Sequence, residues 1–200
     1  MNIRRRDFCF GLGLGVGAAA AWFTRGMGRP GSGGAAPVLR PPGAGPEADF
    51  LAACVRCSLC VEACPYDTLR RTEFGDERGA GVLATGTPWF DARENPCWLC
   101  ADHETFRCIA ACPTGALQPT KLEDFAIGEA VIDHDLCLAY NGVTCRVCWH
   151  ACPFPDRALR YDKLLHPVVD AECCIGCGLC EHACLTQPAA IVVKPVGGEA

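Results

Sequence analysis

The sequence predicts an α+β protein of short helices and short strands, wound around metal-binding cysteine loops. Three observations predict it. Eighteen of the 200 residues are Cys, and sixteen of these fall at regular spacings. The ingredients of a large side-chain core are scarce, with 8% aromatic residues, 22 Gly and 15 Pro. Yet 50% of the chain is apolar and only 20% charged, which excludes a disordered tail. Something other than side chains must therefore cross-link the interior. A net charge of −5 leaves no basic footprint for nucleic acid. No run reaches the ~20 apolar residues of a spanning helix, which excludes a polytopic membrane protein.

The chain opens with Arg4-Arg5-Arg6-Asp7-Phe8-Cys9-Phe10 and continues uncharged from Gly11 to Phe23. A basic head before a modest apolar stretch reads as an export signal. It resembles the twin-arginine type, with Arg5, Arg6 and Phe8 in register and Cys9 where Leu is common. Ala18-Ala19-Ala20 has the small-residue pattern of a cleavage site, and the same segment would also serve as an uncleaved anchor. Gly13-Leu14-Gly15-Val16-Gly17-Ala18 fits a dinucleotide-loop pattern but lacks the preceding strand that such a loop requires. Residues 24–49 are rich in Gly, Pro, Ala and Ser and read as a linker, ordered near Pro41 and Pro42 where it docks. Residues 50–195 form the expected domain, with 1–23 as signal or anchor and 196–200 as a tail.

Four cysteine groups fill that domain. The first is Cys54, Cys57, Cys60 and Cys64, followed by Pro65. The second is Cys97, Cys100, Cys108 and Cys112, followed by Pro113, with seven residues between the middle pair. The third is Cys137, Cys145, Cys148 and Cys152, followed by Pro153, with seven residues in its first gap. The fourth is Cys174, Cys177, Cys180 and Cys184, followed by Leu185. Sixteen thiols match four [4Fe–4S] clusters, one thiolate per iron. Three Cys at x2 spacing wrap a tight loop whose backbone N–H groups can face the cluster sulfurs. The fourth Cys lies on a helical turn and, in two-cluster ferredoxins, ligates the neighbouring cluster. Pro after it ends the turn.

The rival chemistries fit less well. Zinc prefers pairs of C-x2-C separated by a longer span. Disulfides suit exported proteins, but tightly spaced loop cysteines are poor disulfide partners. Covalent haem requires C-x-x-C-H, and no pair here is followed by His.

The two compact groups and the two stretched groups suggest pairing like with like, giving tandem bis-[4Fe–4S] halves with pseudo-symmetry. Cys54, Cys57, Cys60 and Cys184 would then share one cluster, and Cys174, Cys177, Cys180 and Cys64 its neighbour. Cys97, Cys100, Cys108 and Cys152 would hold the third, and Cys137, Cys145, Cys148 and Cys112 the fourth. The alternative pairs groups one with two and three with four. Strands are expected at Ala130 to Asp133, Ala158 to Tyr161, Pro167 to Asp170 and Ala190 to Val193. Strand, cluster loop, short helix and strand make up a ferredoxin-like unit. A helical turn is expected from Asp49 to Ala53, with Asp49 as its cap.

With these residues in view, the chain resembles the MauM/NapG family of ferredoxin-type proteins. The matching stretches are Leu39-Arg40-Pro41-Pro42-Gly43-Ala44, Ala53-Cys54-Val55-Arg56-Cys57, Ala63-Cys64-Pro65-Tyr66-Asp67-Thr68-Leu69 and Gly86-Thr87-Pro88. The third group, with Gly142 in its gap, and the fourth, running to Gln187-Pro188-Ala189, match as well. Group two departs, because its gap with Asp102-His103-Glu104-Thr105 is longer than the family's. The resemblance implies an exported, periplasmic four-cluster carrier associated with the cytoplasmic membrane. Such a carrier would take single electrons from a NapH-like membrane quinol-oxidising subunit and pass them to an exported reductase. A MauM-like role would instead supply electrons for maturing a methylamine-utilisation enzyme. A structural metal or disulfide module for protein contact is the third reading.

Outer-sphere transfer needs no catalytic residue, and an acidic surface should make the clusters harder to reduce and favour a basic partner. The remaining candidates carry bland readings. His103, His134, His150, His166 and His182 are surplus to a complete thiol set. Trp98 and Trp149 beside cluster Cys read as packing, and Arg70 and Arg71 as a solvated face. Tyr66 and Asp67 have no assigned duty, and Cys173 reads as an inert buried thiol.

Overall fold

The computed structural model describes residues 38–75, 81–122 and 124–196. The export signal and the first part of the linker lie outside the described residues. The later part of the linker packs on the body. Leu39 and Arg40 are buried, and Leu39 forms a bridge with Phe90. The Arg40 guanidinium donates to Thr87 Oγ1 (2.9 Å), to Pro88 O (2.7 Å) and to the Glu47 carboxylate, and lies 5.0 Å from the Phe50 ring centre. A buried charge held by an acid, a hydroxyl and a carbonyl is a satisfied one. Gly43 has to be glycine: its φ is +81°, and a Cβ there would sit 2.3 Å from Gln118 O.

Helix α1 spans Glu47–Ala53 and starts two residues earlier than expected. Pro46, with φ −51°, occupies the N-cap, so Asp49 lies inside the first turn beside Glu47 rather than capping it. Both acids there favour the positive end of the helix. Helices α2 (Leu59–Glu62), α3 (Arg107–Ala110), α4 (Val147–Ala151) and α5 (Leu179–Ala183) each carry the third Cys of one group, and the fourth follows the helix rather than lying on it as expected.

Six short strands pair in three antiparallel ladders. Strand β1 (Arg70–Arg71) pairs with β2 (Pro88–Trp89). Strand β3 (Gly128–Ile132) pairs with β6 (Ile191–Pro195) in the register Ala130 to Val193. Strand β4 (Leu159–Tyr161) pairs with β5 (Pro167–Val169). The four strands flanking groups three and four thus form within two residues of their expected bounds. An outer ladder (β3–β6) and an inner one (β4–β5) enclose the two groups. The first part of the chain repeats this plan in reduced form. Its inner pair is β1–β2, and its outer pair is the single bridge from Ala44 to Leu117.

The core is one contiguous cluster of modest size. Phe50 and Phe90 are its largest fully buried side chains, joined by Leu39, Leu69, Leu117, Ile127, Leu159, Ile191 and Val193. Cys60, Cys108 and Cys180 belong to the same cluster, so the thiols line the core itself. Among the described residues no helix is long and apolar enough to cross a membrane.

Candidate metal centre

The cysteine loops owe their shape to left-handed backbone. In group one, Arg56 (φ +58°) precedes Cys57 and Ser58 (φ +65°) follows it. In group four the same two positions are Gly176 (φ +70°) and Gly178 (φ +86°). Leu99 (φ +58°), before Cys100, takes the first of these positions in group two. Left-handed turns of this kind can aim successive N–H groups inward at an anionic centre. Non-glycine residues hold such angles at a cost of about 1–2 kcal/mol each, which surrounding structure must offset.

The charges acting on each thiol report its neighbours. Cys60 is pushed up to about 11 by burial first, then by Cys54, Cys112 and Cys57. Cys108 is pushed up to about 12 by burial, then by Cys100, with Cys64 and Cys60 adding to it. Cys148 rises to about 11 through burial and the charges of Cys137, Cys145 and Cys184. Cys177 rises to about 12 through burial, with Cys152 and Cys174 as its charged neighbours. Burial drives Cys180 well above the thiol range, helped by Cys177, Cys174 and Cys152.

Cavities give the same grouping in the second part of the chain. One is walled by Cys152, Cys174, Cys177 and Cys180 together with Ala130, Leu159 and Val193. Another is walled by Cys137, Cys145, Cys148 and Cys184 together with Ile132, Leu138 and Ile191. Group three therefore faces group four, and group one faces group two.

This corrects the like-with-like pairing. Cys184 meets Cys137, Cys145 and Cys148, not Cys54, Cys57 and Cys60. Cys64 lies with Cys97, Cys100 and Cys108 rather than with Cys174, Cys177 and Cys180. Cys112 lies beside Cys60 rather than with group three, and Cys152 beside Cys174, Cys177 and Cys180 rather than with group two. The physical reason is connectivity: the β4–β5 and β1–β2 ladders fold consecutive groups onto each other. Gap length reports only on loop insertions.

Two of the fourth cysteines, Cys112 and Cys184, have their own cradle. Burial raises Cys112, but N–H groups of Leu117 and Thr114 and the Thr114 hydroxyl outweigh it and hold the thiol low. Cys184 is low for the same reason, through the Thr186 hydroxyl (3.3 Å) and the Ala190 N–H (3.4 Å). The donor set is thus all thiol, set around apolar cavities in the second part of the chain, with N–H groups on the two lowered sulfurs. Among the described residues no three His, Cys, Asp or Glu converge on a single ion. Thiols spread around a void fit a four-iron cube, which gives each thiolate its own iron.

The two parts touch through one seam. The Cys97 N–H donates to Cys177 O (2.9 Å), and Cys177 is among the charges acting on Cys97. Arg93 donates to Glu181 O (2.7 Å), His182 O (3.2 Å), Cys184 O (2.8 Å) and Thr186 O (3.2 Å). Nδ1 of His182 donates back to Arg93 O (2.9 Å). Sequence reasoning missed Arg93. An isolated Arg four residues before a cysteine group gives no local signal.

The other candidates fall outside the thiol sets. His103, His134, His150 and His182 are exposed, and His166 pairs with Asp162. Trp98 donates to Asn95 Oδ1 (3.0 Å) and Trp149 to Asp156 Oδ1 (3.1 Å). Tyr66 donates to Asp102 Oδ2 (3.0 Å), tying group one to the long gap of group two. Arg70 pairs with Glu94. Cys173 is half-buried rather than buried.

Comparison with known proteins finds iron–sulfur relatives. Residues 53–116 match the family model described as a 4Fe-4S dicluster domain, a span that contains groups one and two together. The chain is 47% identical over 170 residues to the methylamine utilization ferredoxin-type protein MauM of Methylorubrum extorquens, covering 80% of this chain and 74% of that protein. It is 40% identical over 172 residues to the ferredoxin-type protein NapG of Escherichia coli, covering 79% and 71%. The ferredoxin-type protein NapF of the same organism is 34% identical over 152 residues, covering 73% and 79%.

Proposed function

This chain belongs to the MauM and NapG family of ferredoxin-type proteins, and from that premise we propose that it is an exported four-cluster relay of single electrons. The family and the dicluster domain make it an iron–sulfur electron-transfer protein. The proposal adds the number of clusters, their ligands and the place of the chain between its partners.

Four [4Fe–4S] clusters occupy two tandem halves. Cys54, Cys57, Cys60 and Cys112 hold the first, and Cys97, Cys100, Cys108 and Cys64 the second. Cys174, Cys177, Cys180 and Cys152 hold the third, and Cys137, Cys145, Cys148 and Cys184 the fourth. When bound, such clusters take up and release one electron at a time without breaking a substrate bond. The chain supplies the thiolates, N–H groups that stabilise negative sulfur, and burial that sets the potential. The Cys97–Cys177 seam brings the halves into contact.

Residues 1–23 direct export by the twin-arginine route, which suits a protein folded around cofactors before it crosses. The linker follows, and the body runs to residue 195. A membrane quinol-oxidising subunit of NapH type is the donor, and an exported reductase on the periplasmic side is the acceptor.

The observation that carries the reading is the pair of apolar cavities, each walled by four thiols. Anaerobically purified protein is expected to hold ~16 iron atoms per chain. Doubly substituted variants test the ligand sets. Cys184→Ser with Cys137→Ser removes one cluster, leaving ~12 iron, whereas Cys184→Ser with Cys54→Ser removes two, leaving ~8. The reverse pattern sinks the ligand sets, and a folded protein with almost no iron sinks the whole reading.

The 47% identity to MauM supports a second reading, an electron donor for maturation of another enzyme. Deleting the gene then leaves the partner enzyme immature, whereas loss of a relay leaves it mature and starved of electrons.

A further inference from the structure

The seventeen cysteines of the described residues are not equally shielded. Sixteen are buried or half-buried, and Cys57 alone is exposed. The residues around it are apolar and face solvent. Val55 is 61% exposed and Leu59 48%. A turn distant in sequence, Val82–Ala84, adds Val82 at 69% and Leu83 at 78%.

That turn is fastened to the cysteine loop. Arg56, between Val55 and Cys57, donates from Nε to Thr85 O (3.0 Å) and from a terminal nitrogen to Leu83 O (2.8 Å). Its side chain lies across Gly86, where a Cβ would meet Arg56 Cδ at 3.4 Å. The Val82–Ala84 turn is thus held beside the Cys57 loop, and its apolar residues with Val55 and Leu59 make up an apolar rim of that region. Isolated exposed apolar side chains are ordinary, but a rim fixed in place beside a redox ligand is not.

The charge of the rim differs from that of the chain. The protein carries a net −5. The bonds of Arg56 go to neutral carbonyls rather than to an acid. Arg70 and Arg71 line the adjoining recess with Thr85 and Gly86, where Glu73 is the acid, and Arg70 also pairs with Glu94.

We propose that this rim is the docking surface for a one-electron redox protein that presents an apolar face edged by carboxylates. The proposal rests on the iron–sulfur reading above. Docking buries Val55, Leu59, Val82 and Leu83 and excludes water from the exposed sulfur, while Arg56 and Arg71 meet the partner's acids. One electron crosses the contact. The side that gives it is oxidised by one unit, the other is reduced by one, and no bond forms or breaks.

The test uses the full, anaerobically loaded chain on a gold electrode coated with mixed methyl- and carboxylate-terminated alkanethiols, which imitates the partner's face. Leu83→Glu places a carboxylate in the rim at a site with no interior role. Leu164→Glu makes the same change at a comparably exposed residue (73%) on the turn between β4 and β5. The interfacial electron-transfer rate is expected to fall about tenfold in Leu83→Glu at low ionic strength, with the loss shrinking as salt rises. Arg71→Gln shifts the rate the same way, and Leu164→Glu leaves it unchanged. A wild-type rate in Leu83→Glu, or an equal loss in Leu164→Glu, overturns the proposal. Iron content is measured first. Iron-free protein speaks against the iron–sulfur reading and removes the ground of the docking surface with it. Fully loaded protein whose rate does not move overturns the docking surface alone.

Discussion

Replacing Arg93 by Gln should loosen one half of the protein from the other. Arg93 stands on the segment leading into Cys97, and its four bonds end on carbonyls around helix α5 and Cys184. Hydrogen bonds from a charged group are worth about 1.5–3 kcal/mol each. The bonds to Glu181 O (2.7 Å) and Cys184 O (2.8 Å) are short and partly buried. Counting these two at the low end gives about 3 kcal/mol, since the two longer bonds compete with water. That is roughly a hundredfold in the equilibrium for local opening. The assay is iron release to excess chelator under anaerobic conditions, followed by the fading of visible absorption. Wild type should release slowly throughout. Arg93→Gln should release about half of its iron at least tenfold faster, because α5 carries Cys180 and leads directly into Cys184, which serve the two centres of the second half. Arg93→Lys keeps the charge but cannot span the four carbonyls, so it should fall between. Release at the wild-type rate, or an equal acceleration of all the iron, refutes the role of Arg93 as fastener.

Three further outcomes follow from the same geometry. Glu181 is buried, which raises its carboxyl, while the Val193 N–H donates to Oε2 (2.6 Å) and lowers it; Asp91 raises it and Arg93 lowers it. Glu181→Gln keeps that acceptor and removes a negative charge, so potentiometric titration should show easier reduction with little loss of stability. The wild-type potential should likewise climb as pH falls through the raised carboxyl range, and a flat profile counts against a charged Glu181 at neutral pH. Cys173→Ser should keep ~16 iron, because Cys173 lies outside all four thiol sets, and a loss of ~4 would place it among the ligands. In the metal-free chain Cys60, Cys108, Cys148 and Cys177 titrate at about 11–12, so iron loading must release protons, measurable as base uptake in weak buffer. A thiol that ionises later when folded costs stability as pH rises from 9 towards 12. The denaturant midpoint of the metal-free chain should fall across that window.

Much of this architecture was legible in the sequence because cysteine spacing is itself geometry. Three thiols within seven residues must share a tight loop, whatever surrounds them. The strands flanking groups three and four were also legible, since runs such as Ile191-Val192-Val193 admit little else between turn signals. The pairing of groups was not. It depends on which ladders close, and β4–β5 closes because only five residues separate Tyr161 from Pro167. The seven-residue gaps in groups two and three looked like kinship, but such insertions lie at loop edges and say nothing of partners. Arg93 and Arg40 were hidden for a related reason. Each acts on carbonyls or hydroxyls tens of residues away, and backbone oxygens leave no mark in a sequence.

The loop around Cys57 shows how local cost and distant purpose combine. Group four meets the left-handed positions with Gly176 and Gly178, the inexpensive solution. Gly178 could hardly be otherwise, because a Cβ there would come within 2.6 Å of Ala92 Cβ. Group one places Arg56 and Ser58 at the equivalent positions and accepts strain that glycine would avoid. Loop shape alone gives no reason for Arg56. Its side chain does, since it reaches Leu83 O and Thr85 O and fastens that turn to the loop. A glycine would make the same loop and leave the Val82–Ala84 turn without that anchor. The strain at Arg56 is therefore spent on the surface beside the exposed thiol rather than on the thiol cage, which is where a carrier must meet its partner.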